Sequence, residues 1–270
     1  MKKQVHDRAP HQGTEAPALE AQVVTKSFGG VQALAGTDLT VTAGTITGLI
    51  GPNGAGKSTL FNILSGVMGP DKGRVFLWGE DVTGLAPHHL AERGLTRSFQ
   101  LSRELTRLSV LENLMIAARG QSGERLAEVF LRPSRVARED RAVFARAREI
   151  LEIVGLSDQV DAPAGALSGG QKKLLDLGRA LMARCSVVLL DEPGAGVNAT
   201  LMNQIVSIIK EMNRTRDVTF LIVEHDMDLI ARICAPVIVM VEGRRLAEGT
   251  FETLRRDARV LDAYLGGAAA

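Results

Sequence analysis

Gly51-Pro52-Asn53-Gly54-Ala55-Gly56-Lys57-Ser58 follows directly on the apolar run Thr45 to Ile50 and leads into the helix-forming stretch Thr59 to Leu64. Strand, glycine-rich loop and helix in that order give the pattern GxxxxGKS its physical meaning. The glycines let successive backbone N–H groups turn inward around phosphate oxygens, and the helix N-terminus adds its dipole. Lys57 is then placed to reach terminal phosphates and Ser58 to ligate Mg²⁺. The expectation is a chain that binds a nucleoside triphosphate.

A second constellation lies in the latter half. Val187-Val188-Leu189-Leu190 is continuously apolar, as a strand buried on both faces must be, and it ends in Asp191 and Glu192. At the carboxyl end of such a strand, Asp191 is placed to hold the Mg²⁺ shell and Glu192 to poise a water. A charged pair that merely ends a strand is the plainer alternative, which the upstream phosphate loop disfavours. Shortly before it, Leu167-Ser168-Gly169-Gly170-Gln171 opens a helical segment expected to run through Arg184. Small residues and a hydroxyl at a helix start make another anion site, so one chain carries two such helix starts, more than a single nucleotide uses.

Together these motifs resemble the ATP-binding cassette family over nearly the whole chain, from about Leu19 to Leu265. The resemblance implies an α/β fold: a phosphate-loop core with a mostly parallel sheet, an N-terminal antiparallel β subdomain and an inserted helical subdomain over about 100–180. It implies that Asn53, Gly54, Ala55, Gly56, Lys57, Ser58 and Thr59 bind ATP, with Ser58, Asp191 and Gln100 near Mg²⁺. It further implies that Ser168, Gly169, Gly170 and Gln171 complete the site of an opposite subunit, in a head-to-tail homodimer or heterodimer of cassettes. By the same resemblance Glu192 activates water, His225 touches the γ-phosphate, Gln100 contacts metal and water and faces the membrane partner, and Phe28 stacks on adenine. Read without the family, His225 is equally a structural hydrogen bonder, Phe28 a core aromatic and Gln100 a turn residue.

The wording narrows the resemblance. Thr96-Arg97-Ser98-Phe99-Gln100, Pro193-Gly194-Ala195-Gly196-Val197-Asn198, Glu224-His225-Asp226-Met227-Asp228, Ala247-Glu248-Gly249-Thr250 and Ala263-Tyr264-Leu265-Gly266 look like the cassettes of branched-chain amino acid importers. Asn198 stands where most cassettes carry an aspartate. This branch implies a motor subunit at the cytoplasmic face of the inner membrane, working with integral membrane permease subunits and, indirectly, a solute-binding protein. Similar cassettes serve urea, amide or lipid-export systems, and a non-transport cassette ATPase is a more distant alternative.

At 270 residues the chain is long enough for one large domain or two small ones, and 45% apolar but only 4% aromatic residues mean that aliphatic packing dominates. With 32 basic and 31 acidic residues the formal charge is +1, which gives no electrostatic case for a nucleic acid partner. Cys185 and Cys234 lack CxxC spacing and adjoin apolar runs, so buried reduced thiols and a cytosolic setting are expected. No apolar run of the length that spans a bilayer occurs, and no apolar stretch follows Lys2 and Lys3, so neither a transmembrane segment nor a secretory signal is expected. Residues 1–18 and 266–270 read as tails.

Short strands are expected around Gln22 to Thr25, Asp38 to Thr42, Thr45 to Ile50 and Gly73 to Trp78, with later ones at Val218 to Val223 and Val237 to Val241. Between Ser109 and Leu156, Leu111, Leu114 and Met115, then Val143, Ala147, Ile150, Leu151 and Val154, recur at helical spacing. His88 and His89 are expected on a solvated helix. The charged stretch Arg119 to Asp140, with Gly120, Gly123 and Pro133, reads as loop and short amphipathic helices. A solvated face, a membrane surface and a partner contact all stand open for it.

Overall fold

The computed structural model describes residues 17–98 and 105–265. β1 (Pro17–Phe28) and β2 (Val31–Thr42) form a long antiparallel pair, to which β4 (Lys72–Leu77) and β5 (Glu80–Asp81) add. Each of the first two strands is 12 residues long, well beyond the short runs expected. The reason is that the pair carries on past its apolar stretches through Lys26 and Gln32, broken by bulges around Ala21 to Val24 that interrupt the alternation. The tail boundary expected at residue 18 is also corrected. Pro17 begins the strand, Ala18 is fully buried, and its carbonyl accepts the amide of Trp78 at 3.0 Å.

The second sheet has the order β10-β9-β3-β8-β7-β6. It comprises β3 (Ile46–Ile50), β6 (Leu95–Ser98), β7 (Val187–Asp191), β8 (Thr219–Val223), β9 (Val237–Val241) and the antiparallel edge strand β10 (Arg244–Gly249). Every residue of β3 and β8 is buried, which is why these strands read as unbroken apolar runs. Alternate residues feed two cores. Leu49, Val187, Leu189, Leu221 and Val223 pack toward the antiparallel sheet and α1 (Lys57–Leu64). Val188, Leu190, Phe220 and Ile222 pack on the other face against the helices.

After α2 (Pro87–Glu92), where His88 and His89 are exposed as expected, the chain from Val110 to Met182 holds only helices joined by loops. α3 (Val110–Ala117), α5 (Pro133–Val154) and α6 (Gly169–Met182) bury Leu114, Ile150, Val154 and Leu177 between them. Gly178 lets α6 approach closely, since a Cβ there would sit 2.9 Å from Leu114. The chain does break before Pro133, but the helix that follows is long rather than short. After the short α4 (Leu126–Leu131), Pro133 occupies the first turn of a 22-residue helix, the one helical position where its missing N–H costs nothing. α6 ends at Met182, two residues short of Arg184, which adopts φ 50°. The chain finishes with α7 (Ala199–Arg216), α8 (Met227–Ile233), α9 (Phe251–Leu254) and α10 (Ala258–Leu265). Both cysteines are buried as free thiols, and burial pushes Cys234 up to about 12. Among the described residues no helix is long and apolar enough to cross a membrane.

Candidate functional site

Strands β3, β8 and β7 lie side by side and parallel, so their carboxyl ends open onto one crevice, the place where such sheets bind ligands. The phosphate loop leaves β3 through Gly51, where a Cβ would overlap the Met240 carbonyl oxygen, and closes at Gly56 with φ 92°. Both positions demand glycine for backbone reasons. The turn after β9 braces the loop: the Gly243 amide donates to Ala55 O at 3.0 Å, while Gly243 O accepts from the Ala35 amide and the Thr37 hydroxyl. Asn53 and Gly54 are exposed, Ala55 is buried, and α1 begins at Lys57 with no acidic residue in its first turn and no side-chain cap. Its amide donors are therefore left to an anion.

Lys57 is 6% exposed, and its Nζ donates to Gly51 O at 2.7 Å and Pro52 O at 3.0 Å. Burial lowers the ammonium below its ordinary value, with Glu192 pulling it back up. An anion in the loop would act in the same sense as Glu192. Ser58 is exposed and Thr59 half-buried at the same helix start.

At the end of β7 the two carboxylates differ sharply. Asp191 is half-buried, and its Oδ2 accepts from Arg97 Nη2 at 2.7 Å. Burial raises its carboxyl above the ordinary range, and the Arg97 guanidinium opposes that. Arg97, on the adjacent strand β6, also donates to Asn62 Oδ1 at 2.6 Å and lies 5.0 Å from the Phe61 ring centroid, so it ties β7 to α1. Glu192 is half exposed and held at φ 48°, with its amide donating to Val223 O at 2.9 Å. Pro193 disfavours the right-handed helical region for the residue before it. Across the crevice, His225 Nε2 stands 3.5 Å from Glu192 Oε1.

Beneath that pair lies a group that sequence reasoning missed. Glu224 is 4% exposed; its Oε1 accepts the Gly194 amide at 2.6 Å and its Oε2 accepts the amides of His225 and Asp226 at 2.7 and 3.2 Å. One buried carboxylate thus fastens the loop after β7 to the loop after β8. A side chain at Gly194 would run into Glu224 and Met202. Replacing Glu224 by Ala is expected to lower stability by about 3 kcal/mol, because three donors lose a charged acceptor. The denaturant midpoint measures this, and Glu224→Gln, which keeps one acceptor oxygen, is expected to lose less.

Ser168 caps α6, its Oγ accepting the Gln171 amide at 3.3 Å while Gln171 Oε1 accepts the Ser168 amide at 2.9 Å. This reciprocal box leaves Ser168 and Gly169 exposed at the helix start. Gly170 faces α7, where a Cβ would overlap Leu201. One turn on, Lys173 Nζ donates to the carbonyls of Glu192, Pro193 and Ala195 at 3.2, 3.0 and 2.6 Å, joining the helix to the loop that carries Glu192. Asn198 is the N-cap of α7, accepting the Leu201 amide at 2.9 Å.

Phe28 ends β1 at 47% exposure, with the Lys26 ammonium 5.9 Å from its ring centroid, so the core reading of this aromatic is corrected. Gln100 lies outside the described residues. Tyr264 of α10, absent from the expected site, is raised by burial, an effect opposed by the backbone of Gly51. A serine hydroxyl at Ser58 and a carboxylate at Asp191 are oxygen donors of the kind a hard cation such as Mg²⁺ takes. Among the described residues no cluster of three His, Cys, Asp or Glu side chains forms a metal cage.

A braced phosphate loop beside a carboxylate pair, with a histidine just past the end of the neighbouring strand, defines an α/β nucleotide-binding ATPase. A family model described as "ABC transporter" matches residues 34–195, and one described as "Branched-chain amino acid ATP-binding cassette transporter" matches residues 244–270. The chain belongs to the ABC transporter ATPase family, whose general activity is ATP hydrolysis coupled to transport. It is 38% identical over 248 residues to a probable branched-chain amino acid transport ATP-binding protein LivG of Archaeoglobus fulgidus, covering 92% of this chain and 95% of the relative. It is 37% identical to the high-affinity branched-chain amino acid transport ATP-binding protein BraF of Pseudomonas aeruginosa, covering 93% and 99%. Among solved structures, a nucleotide-free ATP-binding cassette from an ABC transporter superposes with TM-score 0.77 at 36% identity, covering 92% of this chain and 98% of that one. The ADP conformation of an ATP-binding cassette superposes with TM-score 0.76 at 34% identity, covering 93% and 99%.

Proposed function

We propose that the chain is the ATP-hydrolysing motor of an importer for branched-chain or related amino acids, seated at the cytoplasmic face of the membrane on separate permease subunits and paired with a second cassette. The observation that carries the motor role is the half-exposed Glu192 facing His225 at 3.5 Å, just past the ends of β7 and β8, of which β8 pairs with the strand that bears the phosphate loop. The cargo rests on the match over residues 244–270 and on the relatives named above.

In this reading Asn53 to Thr59 hold the phosphates through backbone amides and Lys57, and Phe28 offers its exposed ring to adenine. Ser58 and Asp191 hold Mg²⁺, which when bound neutralises phosphate charge. Gln100 is assigned to the metal and the water by the family resemblance alone. Glu192 takes the proton of the attacking water, and His225 donates to the γ-phosphate. Ser168, Gly169, Gly170 and Gln171 close on the partner's nucleotide, so the γ-phosphate bridges two chains and its loss opens them.

Purifying the tagged chain from detergent-solubilised membranes of its host tests the assignment. Integral membrane subunits are expected to accompany it, with ATPase activity raised several-fold by a leucine-loaded binding protein. A chain that comes away alone, or an assembly stimulated only by urea or amides, refutes the cargo.

A further inference from the structure

The three most exposed large apolar side chains of the described residues sit together on α4: Leu126, Phe130 and Leu131, at 78%, 81% and 79% exposure. Val129 beside them is 38% exposed, and Leu126 and Phe130 lie one turn apart on the same side of the helix. Glu128 is the exception on this helix, half-buried and paired with Arg132 at 3.6 Å and Arg135 at 4.0 Å. An apolar cluster left bare in this way marks a contact surface rather than a solvated face.

Its surroundings select the occupant. From Arg125 to Arg141 five arginines stand against three carboxylates, in a chain whose formal charge is only +1. Arg132 and Arg135 pair with Glu128 and Glu139, while Arg125, Arg138 and Arg141 are exposed and make no ion pair with any described residue. Positive charge is therefore concentrated around the apolar face. Aliphatic and aromatic tips ask for no directional partner, and arginines with long apolar stems seek phosphate oxygens. That is the pattern of a short helix lying in the headgroup layer of an anionic bilayer.

We propose that α4 and the first turns of α5 form a lipid-facing patch, with Leu126, Phe130 and Leu131 entering the acyl boundary and the flanking arginines binding anionic headgroups. The patch gives the chain a hold on the membrane separate from its permease contacts, and it goes beyond the motor role. Flotation of the full-length protein with vesicles of phosphatidylcholine containing about one-third phosphatidylglycerol tests it, against vesicles of phosphatidylcholine alone. Binding is expected to the anionic vesicles and to weaken with salt. Phe130→Asp and Leu131→Asp are each expected to weaken it by about tenfold or more. Arg125→Glu combined with Arg138→Glu is expected to abolish the preference for anionic lipid. All four positions are exposed, so these variants should keep wild-type nucleotide affinity, a readout independent of lipid. Failure to float with anionic vesicles, or flotation indifferent to Phe130→Asp, overturns the proposal. Binding only to vesicles that carry the permease overturns it as well, by making the occupant a protein.

Discussion

Glu192→Gln is expected to slow ATP hydrolysis by about 10²- to 10⁴-fold while leaving ATP binding intact, the loss that follows from removing a positioned general base. The substitution is nearly isosteric. The backbone of residue 192 is anchored independently of the side chain, through its amide bond to Val223 O and through Lys173, so the loop should hold its shape. Removing a negative charge that acts on Lys57 also takes a repulsive group away from an incoming triphosphate. Binding should therefore be unchanged or tighter, and an ATP-held dimer should accumulate. Single-turnover hydrolysis, read beside equilibrium nucleotide affinity, separates the two effects. Turnover at the wild-type rate in this variant would falsify the assignment of Glu192 as the base.

The parts of this site that were legible in the sequence are those where chemistry and backbone geometry are written in the same few residues. GxxxxGKS demands glycine for its turns, the run into Asp191 and Glu192 demands a doubly buried strand, and Ser168-Gly169-Gly170 puts a hydroxyl and small residues at a helix start. What escaped depends on which strands become neighbours. Arg97 means little until β6 lies beside β7 and brings its guanidinium to Asp191. Glu224 looks like any polar residue after a strand, and only the approach of Gly194 makes it a buried clasp. The lengths of β1 and β2 were equally hidden, because pairing carried the strands beyond their apolar segments. Asn198 departs from the usual aspartate, yet its visible task is to cap α7, which either side chain performs.

These clasps also give the site a mechanical character. Lys173 ties the start of α6 to the loop bearing Glu192, and Glu224 ties that loop to the one bearing His225. The start of α6 is therefore joined to the loops of Glu192 and His225 by polar contacts rather than by slack chain.

If the start of α6 serves the opposite chain's nucleotide, two damaged proteins should repair each other. Let one carry Lys57→Ala, which removes the charged contact to the terminal phosphates, and the other Ser168→Arg, which puts a long side chain where a partner's phosphate must approach. Ser168 is exposed, so the arginine has room to extend without disturbing the core, and the loss of its cap costs only about 1 kcal/mol. In either homodimer both sites lack one half, and hydrolysis should be nearly absent. In the mixed dimer one site inherits both lesions, while the other joins an intact phosphate loop to an intact Ser168-Gly169-Gly170-Gln171. Mixing the purified variants, in detergent with the permease if the isolated dimer is weak, is therefore expected to restore hydrolysis well above either parent. Lys57→Ala alone should show weakened nucleotide affinity without any turnover, whereas Ser168→Arg alone should bind nucleotide normally as a monomer. Heterodimers as inactive as their parents would mean that both sites must fire together or that the start of α6 does not act across the interface. Full activity in the Ser168→Arg homodimer selects the second of these, because a residue that completes every site cannot be blocked in both without loss.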